Sequence, residues 1–371
     1  MSASRPYRIL IAGPTASGKS ALAMRVASLL PAEIISADSR QCYRGLDIGT
    51  AKPSPQDLAT VPHHNISVLD PTEADSAMGF FRRAGRAADK IESKNRVVLY
   101  AGGSTLHLQT LIRPLAPLPP SSPDNLTLLE SDLRQQGTDA LFARLQHVDP
   151  AYAGRINPKN PRRILRALDV YMQTGRPFSS YHNDAQTPEK PAGLLVYALY
   201  HPRKTLHERI EKRCDEMLAG GLVEETEALL ASGLSPDLQA FQTVGYRQVI
   251  SWLHGEITRE QMEKDFKTAT RRYAKRQMTW LRRWPFVTWL DGGGGGGDEG
   301  GERSEGGERS VVGVDVGSGG VDGGGGDENF AEHPTPDMQP STPSKREIVT
   351  DKLAERIVRD WHEAQEAAGG L

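Results

Sequence analysis

The stretch "IAGPTASGKS", residues 11–20, decides the fold. A short apolar run, Ile9-Leu10-Ile11-Ala12, leads into Gly13-x-x-x-x-Gly18-Lys19-Ser20, and residues 18–30 follow with small and apolar side chains at helical spacing. Strand, glycine loop and helix in this order let backbone N–H groups and a helix N-terminus surround an anion. Lys19 then supplies a point charge, and the Ser20 hydroxyl is placed for Mg²⁺. The spacing identifies a phosphate-binding loop and leaves open which phosphate it holds.

Outward from the loop, strand-like and helix-like runs alternate. "AEIISAD" (32–38) and "RVVLYAGG" (96–103) read as strands, residues 74–94 as a helix, and "GLLVYALY" (193–200) as a strand returning to the same sheet. Such alternation predicts an α/β fold: a P-loop NTPase-like parallel sheet with helices on both faces. Ligands in these sheets sit beyond the carboxyl ends of the strands, where Gly13, Asp38 and Gly102 should converge. A proline-rich stretch, "RPLAPLPPSSPD" (113–124), interrupts the pattern, and the residues after it are helical without a convincing buried strand. The expected organisation is a core of 1–115 and 191–291, with 116–190 as a helical insertion. Long helices are expected at about 203–231 and 258–283.

Beyond the core, residues 292–327 are half glycine, a composition that cannot bury enough apolar surface to offset its ordering entropy. We read 292–343 as a Gly-rich acidic disordered linker. Residues 344–371 form a tail with helical character, with Ile348, Leu353, Ile357 and Trp361 partly on one face. Residues 292–328 carry nine acids and two arginines, a net of −7. Because the whole chain is −2, the rest sums to +5, a mildly basic body compatible with a polyanionic partner. Two cysteines, Cys42 and Cys214, lack metal-ligand spacing and suit a reducing compartment. With no signal-like N-terminus and no apolar run of transmembrane length, a cytoplasmic monomer without membrane contact is expected.

Three further segments carry candidate chemistry. In "SADSRQCYRGLDIGTAKP" (36–53), Asp38 ends a strand and should face the loop, either as a metal ligand or base or as a simple turn residue. Ser39, Arg40 and Gln41 are side chains of the kind that read a base edge. "KTATRRYAKRQMTWLRR" (267–283) holds seven cations and no acid, interleaved with Tyr273 and Trp280; this fits a nucleic-acid surface or a merely solvated helix. Arg162, Arg163 and Arg166 lie along one amphipathic helix of the insertion. Arg209 and Arg213 share a face in "HERIEKRCDEML", for pyrophosphate or for salt bridges with Glu208 and Glu216.

Together, "GPTASGKS", "DSRQCYRGLDIGTAKP", His63-His64, "AGGSTLH", "RRILRALDVYMQTGRP", "HERIEKRCDEMLAGGLVEE", "QTVGYRQ" and "RRYAKRQMTWLRRW" resemble the tRNA dimethylallyltransferases, also called tRNA isopentenyltransferases, across about residues 7–290. The resemblance implies an enzyme whose loop holds dimethylallyl diphosphate. The five-carbon chain passes to N6 of the adenosine 3′ of the tRNA anticodon, after that base leaves its stack. It implies Asp38 as general base, with Thr15, Lys19 and Arg209 assisting. Gly13, Pro14, Thr15, Ala16, Ser17, Gly18, Lys19, Ser20 and Arg213 would hold pyrophosphate, with Ser20 on Mg²⁺. It further implies tRNA contacts by Asp38, Ser39, Arg40, Gln41 and Ser104. The same holds for Arg162, Arg163, Ile164, Leu165 and Arg166, for Gln242, Gly245, Tyr246 and Arg247, and for Arg272, Lys275, Arg276 and Gln277.

The chain departs from the family pattern in places. Ser20 and Ser104 stand where threonine is usual, and His107 where tyrosine is usual; no arginine stands near Leu126. A small-molecule kinase using ATP, and a non-catalytic P-loop RNA-binding protein, are the competing readings. Against a kinase or NTPase, "RVVLYAGG" lacks the acid that a Walker B strand would place on Mg²⁺.

Overall fold

The computed structural model describes residues 7–113, 116, 118–181, 189–293 and 344–369. Two compact units emerge, one of residues 1–112 and 189–371, the other of residues 113–188. In chain order the first unit begins with β1 (Arg8–Ala12), α1 (Lys19–Leu29), β2 (Ala32–Ser36), α2 (Pro55–Thr60), β3 (His63–His64), α3 (Ala77–Glu92), β4 (Val97–Gly102) and α4 (Thr105–Ile112). The second unit contributes α5 (Pro123–Val148), α6 (Pro150–Ala153) and α7 (Pro161–Thr174). The first unit resumes with β5 (Leu194–Tyr200), α8 (Arg203–Ala219), α9 (Leu222–Ala231), α10 (Tyr246–Leu253), α11 (Arg259–Leu281), β6 (Thr288–Asp291) and α12 (Lys345–Gly369).

All six strands are parallel, in the order β3-β2-β4-β1-β5-β6, so β1 and its loop lie at the centre between β4 and β5. Burial on both faces explains why these strands are nearly all apolar. Side chains alternate across β1: Ile9 and Ile11 pack with α1 residues Leu22 and Val26 on one face, whereas Leu10 and Ala12 pack with α3 residues Phe80 and Ala84 on the other. A third core gathers α8–α11 around Tyr43 and Leu46. The second unit has its own core of Leu141, Leu145, Ile164, Leu168 and Val170.

The predicted α/β sheet with helices on both faces is present, as are all four predicted strands. The edge strands β3 and β6, two and four residues long, were too short to stand out in the sequence. The expected single helix at 203–231 is broken: Gly220 ends α8, and Gly221, at φ 99, takes a left-handed conformation that only glycine adopts without strain. α3 starts at Ala77 rather than at 74 because the Ser76 hydroxyl caps it, accepting from the Gly79 N–H. In α5 the backbone leaves helical geometry at Gly137 (φ 80, ψ 174).

The sequence reading sets 344–371 apart as a tail without a role. In the structure α12 packs on α1, with Val349, Leu353, Ala354 and Ile357 buried in the same core as the loop-side strands. Arg25 pairs with Asp351 at 2.7 Å, the Tyr197 hydroxyl donates to Asp360 at 2.8 Å, and the Trp361 indole donates to the Tyr7 carbonyl at 2.7 Å. The buried stripe runs through Val349 rather than Ile348. Most of the proposed linker, residues 294–343, lies outside the described residues.

Ile357 is fully buried between α12 and the sheet core. Truncating it leaves a cavity, so Ile357→Ala should lower the unfolding free energy by about 2–4 kcal/mol in urea denaturation. A change within about 0.5 kcal/mol, the range of ordinary surface substitutions, would show that α12 does not belong to this core.

Candidate active site

The loop after β1 takes its shape from three backbone conformations and three outside anchors. Gly13 (φ 154) and Gly18 (φ 96) permit a turn that a side chain would strain, and Ala16 (φ 64) is held in the left-handed region despite its Cβ. Three side chains from elsewhere fix it. Gln277 accepts from the Thr15 N–H at 2.8 Å, the Arg209 Nε–H donates to the Ala16 carbonyl at 2.7 Å, and His201 Nε2 lies 2.8 Å from the Ser17 carbonyl. That last contact makes Nε2 the protonated nitrogen of His201, whose burial lowers its pKa. Lys19 Nζ reaches back to the Pro14 carbonyl at 3.3 Å.

A pocket of about 280 Å³ opens at the carboxyl ends of β1, β2 and β4. Its wall holds Thr15, Lys19 and Ser20 from the loop, Asp38, Ser39, Arg40 and Gln41 after β2, and Gly49–Ala51. Arg213 and Cys214 from α8, Gln242 and Thr243, and Tyr273, Arg276 and Gln277 from α11 complete it. Lys19, Arg40, Arg213 and Arg276 thus face a single carboxylate, that of Asp38, a balance suited to a polyanion. Desolvation pushes Lys19 down to about 8, with Arg213 adding to the shift and Asp38 opposing it. Desolvation also lowers Arg213, again against Asp38. The Tyr273 phenol is driven up, first by burial and then by Asp38, so it stays protonated. Burial raises the Cys214 thiol as well, which keeps it unreactive.

The two carboxylate oxygens of Asp38 differ in their surroundings. Its Oδ1 accepts from the backbone N–H groups of Arg40 at 2.8 Å and Gln41 at 3.4 Å, fixing the turn. Its Oδ2 has no hydrogen bond among the described residues, and the residue lines the pocket. The turn and the functional readings of Asp38 are therefore compatible.

Several expected contact residues are occupied otherwise. Arg209 lies behind the loop, against Gly18, and does not line this pocket; Arg213 does. The Gln41 amide is bound to Ser36 at 2.8 Å and to the carbonyls of Thr50 and Ala51, so in this structure it braces the pocket wall that it also lines. Gln277, 2% exposed, has both ends of its amide engaged, the second by donating to the Gly103 carbonyl at 2.8 Å. Tyr246 is fully buried and bonded to Glu225, whose other contacts hold the N–H groups of Asp47 and Ile48. A side chain on Gly49 would collide with the Tyr246 ring, and one on Gly245 would press on Phe266. These residues position the pocket-facing loop 43–51. Ser104 is buried, and its N–H donates to the Ala37 carbonyl at 3.3 Å.

Arg247 and Arg272 are exposed outside the pocket. Lys275 and Arg276 border a second groove along α11 with Tyr273, Trp280 and Arg283, in which Arg276 covers Tyr273 at 5.6 Å and Arg283 covers Trp280 at 5.4 Å. In the second unit Arg162 and Arg163 are exposed, Ile164 and Leu165 are core, and Arg166 pairs with Asp169 at 2.7 Å. His107, standing where the family carries tyrosine, is stacked on Phe80 at 4.3 Å, and burial holds its pKa at about 4. Sequence reasoning missed Glu225, Met217 and Phe266. No spacing marks Glu225, and Met217 in α8 and Phe266 in α11 are ordinary core types in helices.

Comparison with known proteins places this arrangement in context. The sequence model of the IPP transferase family matches residues 41–284. The tRNA dimethylallyltransferase of Geobacter sulfurreducens is 41% identical over 288 residues, 78% of this chain and 93% of the relative. That of Thioalkalivibrio sulfidiphilus is 45% identical over 288 residues, covering 77% and 90%. The crystal structure of tRNA delta(2)-isopentenylpyrophosphate transferase from Staphylococcus epidermidis superposes with a TM-score of 0.56 at 36% identity, covering 77% and 93%. A eukaryotic dimethylallyltransferase captured acting on tRNA gives a TM-score of 0.66 at 28% identity, covering 77% and 74%. With two-thirds of its length matched and its relatives covered almost end to end, the chain belongs to the IPP transferase family.

Proposed function

We propose that this chain transfers the dimethylallyl group of dimethylallyl diphosphate to N6 of the adenosine 3′-adjacent to the anticodon in tRNA, releasing pyrophosphate. One observation carries the reading: Asp38 shares a single pocket with Thr15, Lys19, Ser20 and Arg213. N6 attacks the first carbon of the prenyl chain, the carbon–oxygen bond breaks, and its electron pair leaves with pyrophosphate. The N6 proton passes to Asp38 Oδ2. An exocyclic amine is a weak nucleophile, so a carboxylate in reach of its proton assists bond formation. Lys19, Arg213 and the loop N–H groups stabilise the charge that develops on the leaving group. Arg40, Tyr273 and Arg276 offer cations and an aromatic ring to the extruded adenosine and its flanking phosphates.

The donor set fits Mg²⁺ carried mainly by the diphosphate. The Ser20 hydroxyl lines the pocket, and among the described residues no three His, Cys, Asp or Glu side chains gather to hold a metal alone. When bound, Mg²⁺ supplies charge neutralisation on the leaving group. Both cysteines are free and buried, and no described helix is long and apolar enough to cross a membrane.

Purified protein incubated with unmodified anticodon stem-loop, Mg²⁺ and labelled dimethylallyl diphosphate should label the RNA, and Asp38→Asn should cut kcat by about 10²–10⁴-fold while RNA affinity holds. Unlabelled RNA, together with phosphate transfer from ATP to a small acceptor, would replace this reading with a kinase.

The depressed Lys19 pKa sets a pH dependence. Below about pH 8 the free protein presents the ammonium; above it, binding an anionic diphosphate requires proton uptake. Without RNA, the Kd for dimethylallyl diphosphate should be flat below pH 8 and rise toward about tenfold per pH unit above it. A Kd independent of pH between 7 and 10 would remove Lys19 as the titrating contact.

A further inference from the structure

A buried ion pair sits against the turn that carries Asp38, on residues that line no part of the pocket. Asp75 precedes α3 and Arg83 lies on it. Their side chains are 4% and 18% exposed, and one terminal nitrogen of Arg83 donates to both carboxylate oxygens at 2.9 Å. Two routes lead from this pair to the turn. On one, the Arg83 Nε–H donates to the Asn65 side-chain oxygen at 2.9 Å, and the Asn65 amide donates at 2.8 Å to the carbonyl of Ser36, the last residue of β2. On the other, the Cys42 thiol lies 3.6 Å from Asp75 Oδ2 and 3.6 Å from the carbonyl of Ser39, the neighbour of Asp38.

The Asp75 backbone makes a separate tie. Its N–H donates to Gln239 Oε1 at 2.8 Å and to the Tyr43 hydroxyl at 3.2 Å, and its carbonyl accepts from the Gln239 amide at 3.0 Å. The Gln239 carbonyl in turn accepts from the Arg40 guanidinium at 2.7 Å. These bonds do not involve the Asp75 carboxylate, so a change of that side chain leaves Arg40 held. Charge around the carboxylate is balanced. Burial, with Asp75 adding to it, pushes the Cys42 thiol up to about 12, so it stays a neutral donor. His107, with Nε2 3.9 Å from Asp75 Oδ2, is kept neutral by burial. Asp38 acts on both of these groups as well, which places it within electrostatic reach of the pair. Arg83 offsets Asp75, so the second carboxylate does not oppose ionisation of Asp38.

A buried ion pair adds little net stability, because an apolar pair of similar volume often serves as well or better. What it supplies is direction, since each charged group fixes the donors and acceptors around it. We propose, on the reading of Asp38 as general base, that Asp75 and Arg83 are positioning residues for prenyl transfer, holding the 38–43 segment so that Asp38 Oδ2 is presented to the acceptor amine. Neither residue touches substrate; both act through the turn. The phosphate loop has its own anchors in Gln277, Arg209 and His201, so loss of the pair leaves diphosphate binding in place.

The full-length chain, Asp75→Asn and the double variant Asp75→Leu/Arg83→Met are compared in prenyl transfer to an anticodon stem-loop. Backbone hydrogen exchange over residues 38–43 and 13–20 is followed without substrate. The double variant replaces the pair by apolar side chains of comparable size, so it stays folded where an unbalanced Arg83 would not. Both variants should lower kcat about ten- to hundredfold, the scale of a misplacement of roughly 1 Å, while the affinity of the RNA-free chain for dimethylallyl diphosphate is unchanged. Exchange should quicken over 38–43 and not over 13–20. Added to Asp38→Asn, either change should cost nothing further, because no base remains to be placed. Wild-type kcat in the double variant would show that the pair only fills space and would overturn the proposal. Wild-type exchange over 38–43, or an equal loss of kcat with and without Asp38, would overturn it too. If the wild-type chain transfers no prenyl group, the proposed function falls, and the exchange rates alone decide whether the pair holds the turn.

Discussion

The site depends on one buried amide. Gln277 enters from α11, accepts from the Thr15 N–H with its oxygen and donates to the Gly103 carbonyl with its nitrogen, both at 2.8 Å. It thereby joins the loop after β1, the chain after β4 and the helix that carries Tyr273 and Arg276. Because the amide is buried, losing one contact would leave a polar atom unsatisfied as well as break a bond. The glycines at the end of β4 answer to close approaches, Gly103 to this same joint. A side chain on Gly103 would collide with the Gln277 amide and the Gly13 carbonyl, and one on Gly102 with the Ala37 backbone.

With the loop held from three directions, its N–H groups and Lys19 are fixed before any ligand arrives. Preorganised donors of this kind stabilise a leaving diphosphate without reorganisation at the moment of reaction. The charge distribution follows the same logic. Cations line the pocket around one carboxylate, and that carboxylate is held by its own turn, so Oδ1 is committed and Oδ2 is presented. The second anchored segment, loop 43–51, depends on Glu225 and Tyr246 in the same way that the phosphate loop depends on Gln277, Arg209 and His201.

Much of this was legible in the residues. The glycine spacing at 13–20, the apolar strands and Asp38 at a strand end located the pocket, because those features act through local geometry and parallel topology. Side-chain direction was not legible. Gln41 and Gln277 belong to stretches that resemble RNA-contacting ones, yet their amides bond backbone carbonyls and N–H groups supplied by distant segments. Tyr246 and Leu165 likewise sit in such stretches and face inward. Arg209 and Arg213 lie one helical turn apart, and only their position relative to the loop shows that Arg213 lines the pocket while Arg209 braces the loop from behind. The helical character of 345–369 was legible, but its docking on the core was hidden for another reason. Its apolar stripe is short, its glycine-rich connection obscures its tie to the fold, and nothing local shows that α1 offers a matching groove.

The account rests on Gln277 acting as a positioning residue rather than as an RNA contact, and Gln277→Leu separates the two roles most directly. The substitution keeps comparable volume while removing both bonds. Binding of dimethylallyl diphosphate to the RNA-free variant should weaken by roughly tenfold or more, as expected for loss of two buried hydrogen bonds that hold the cradle. If diphosphate affinity stays at the wild-type value while stem-loop affinity alone falls, Gln277 contacts RNA and the loop does not depend on it.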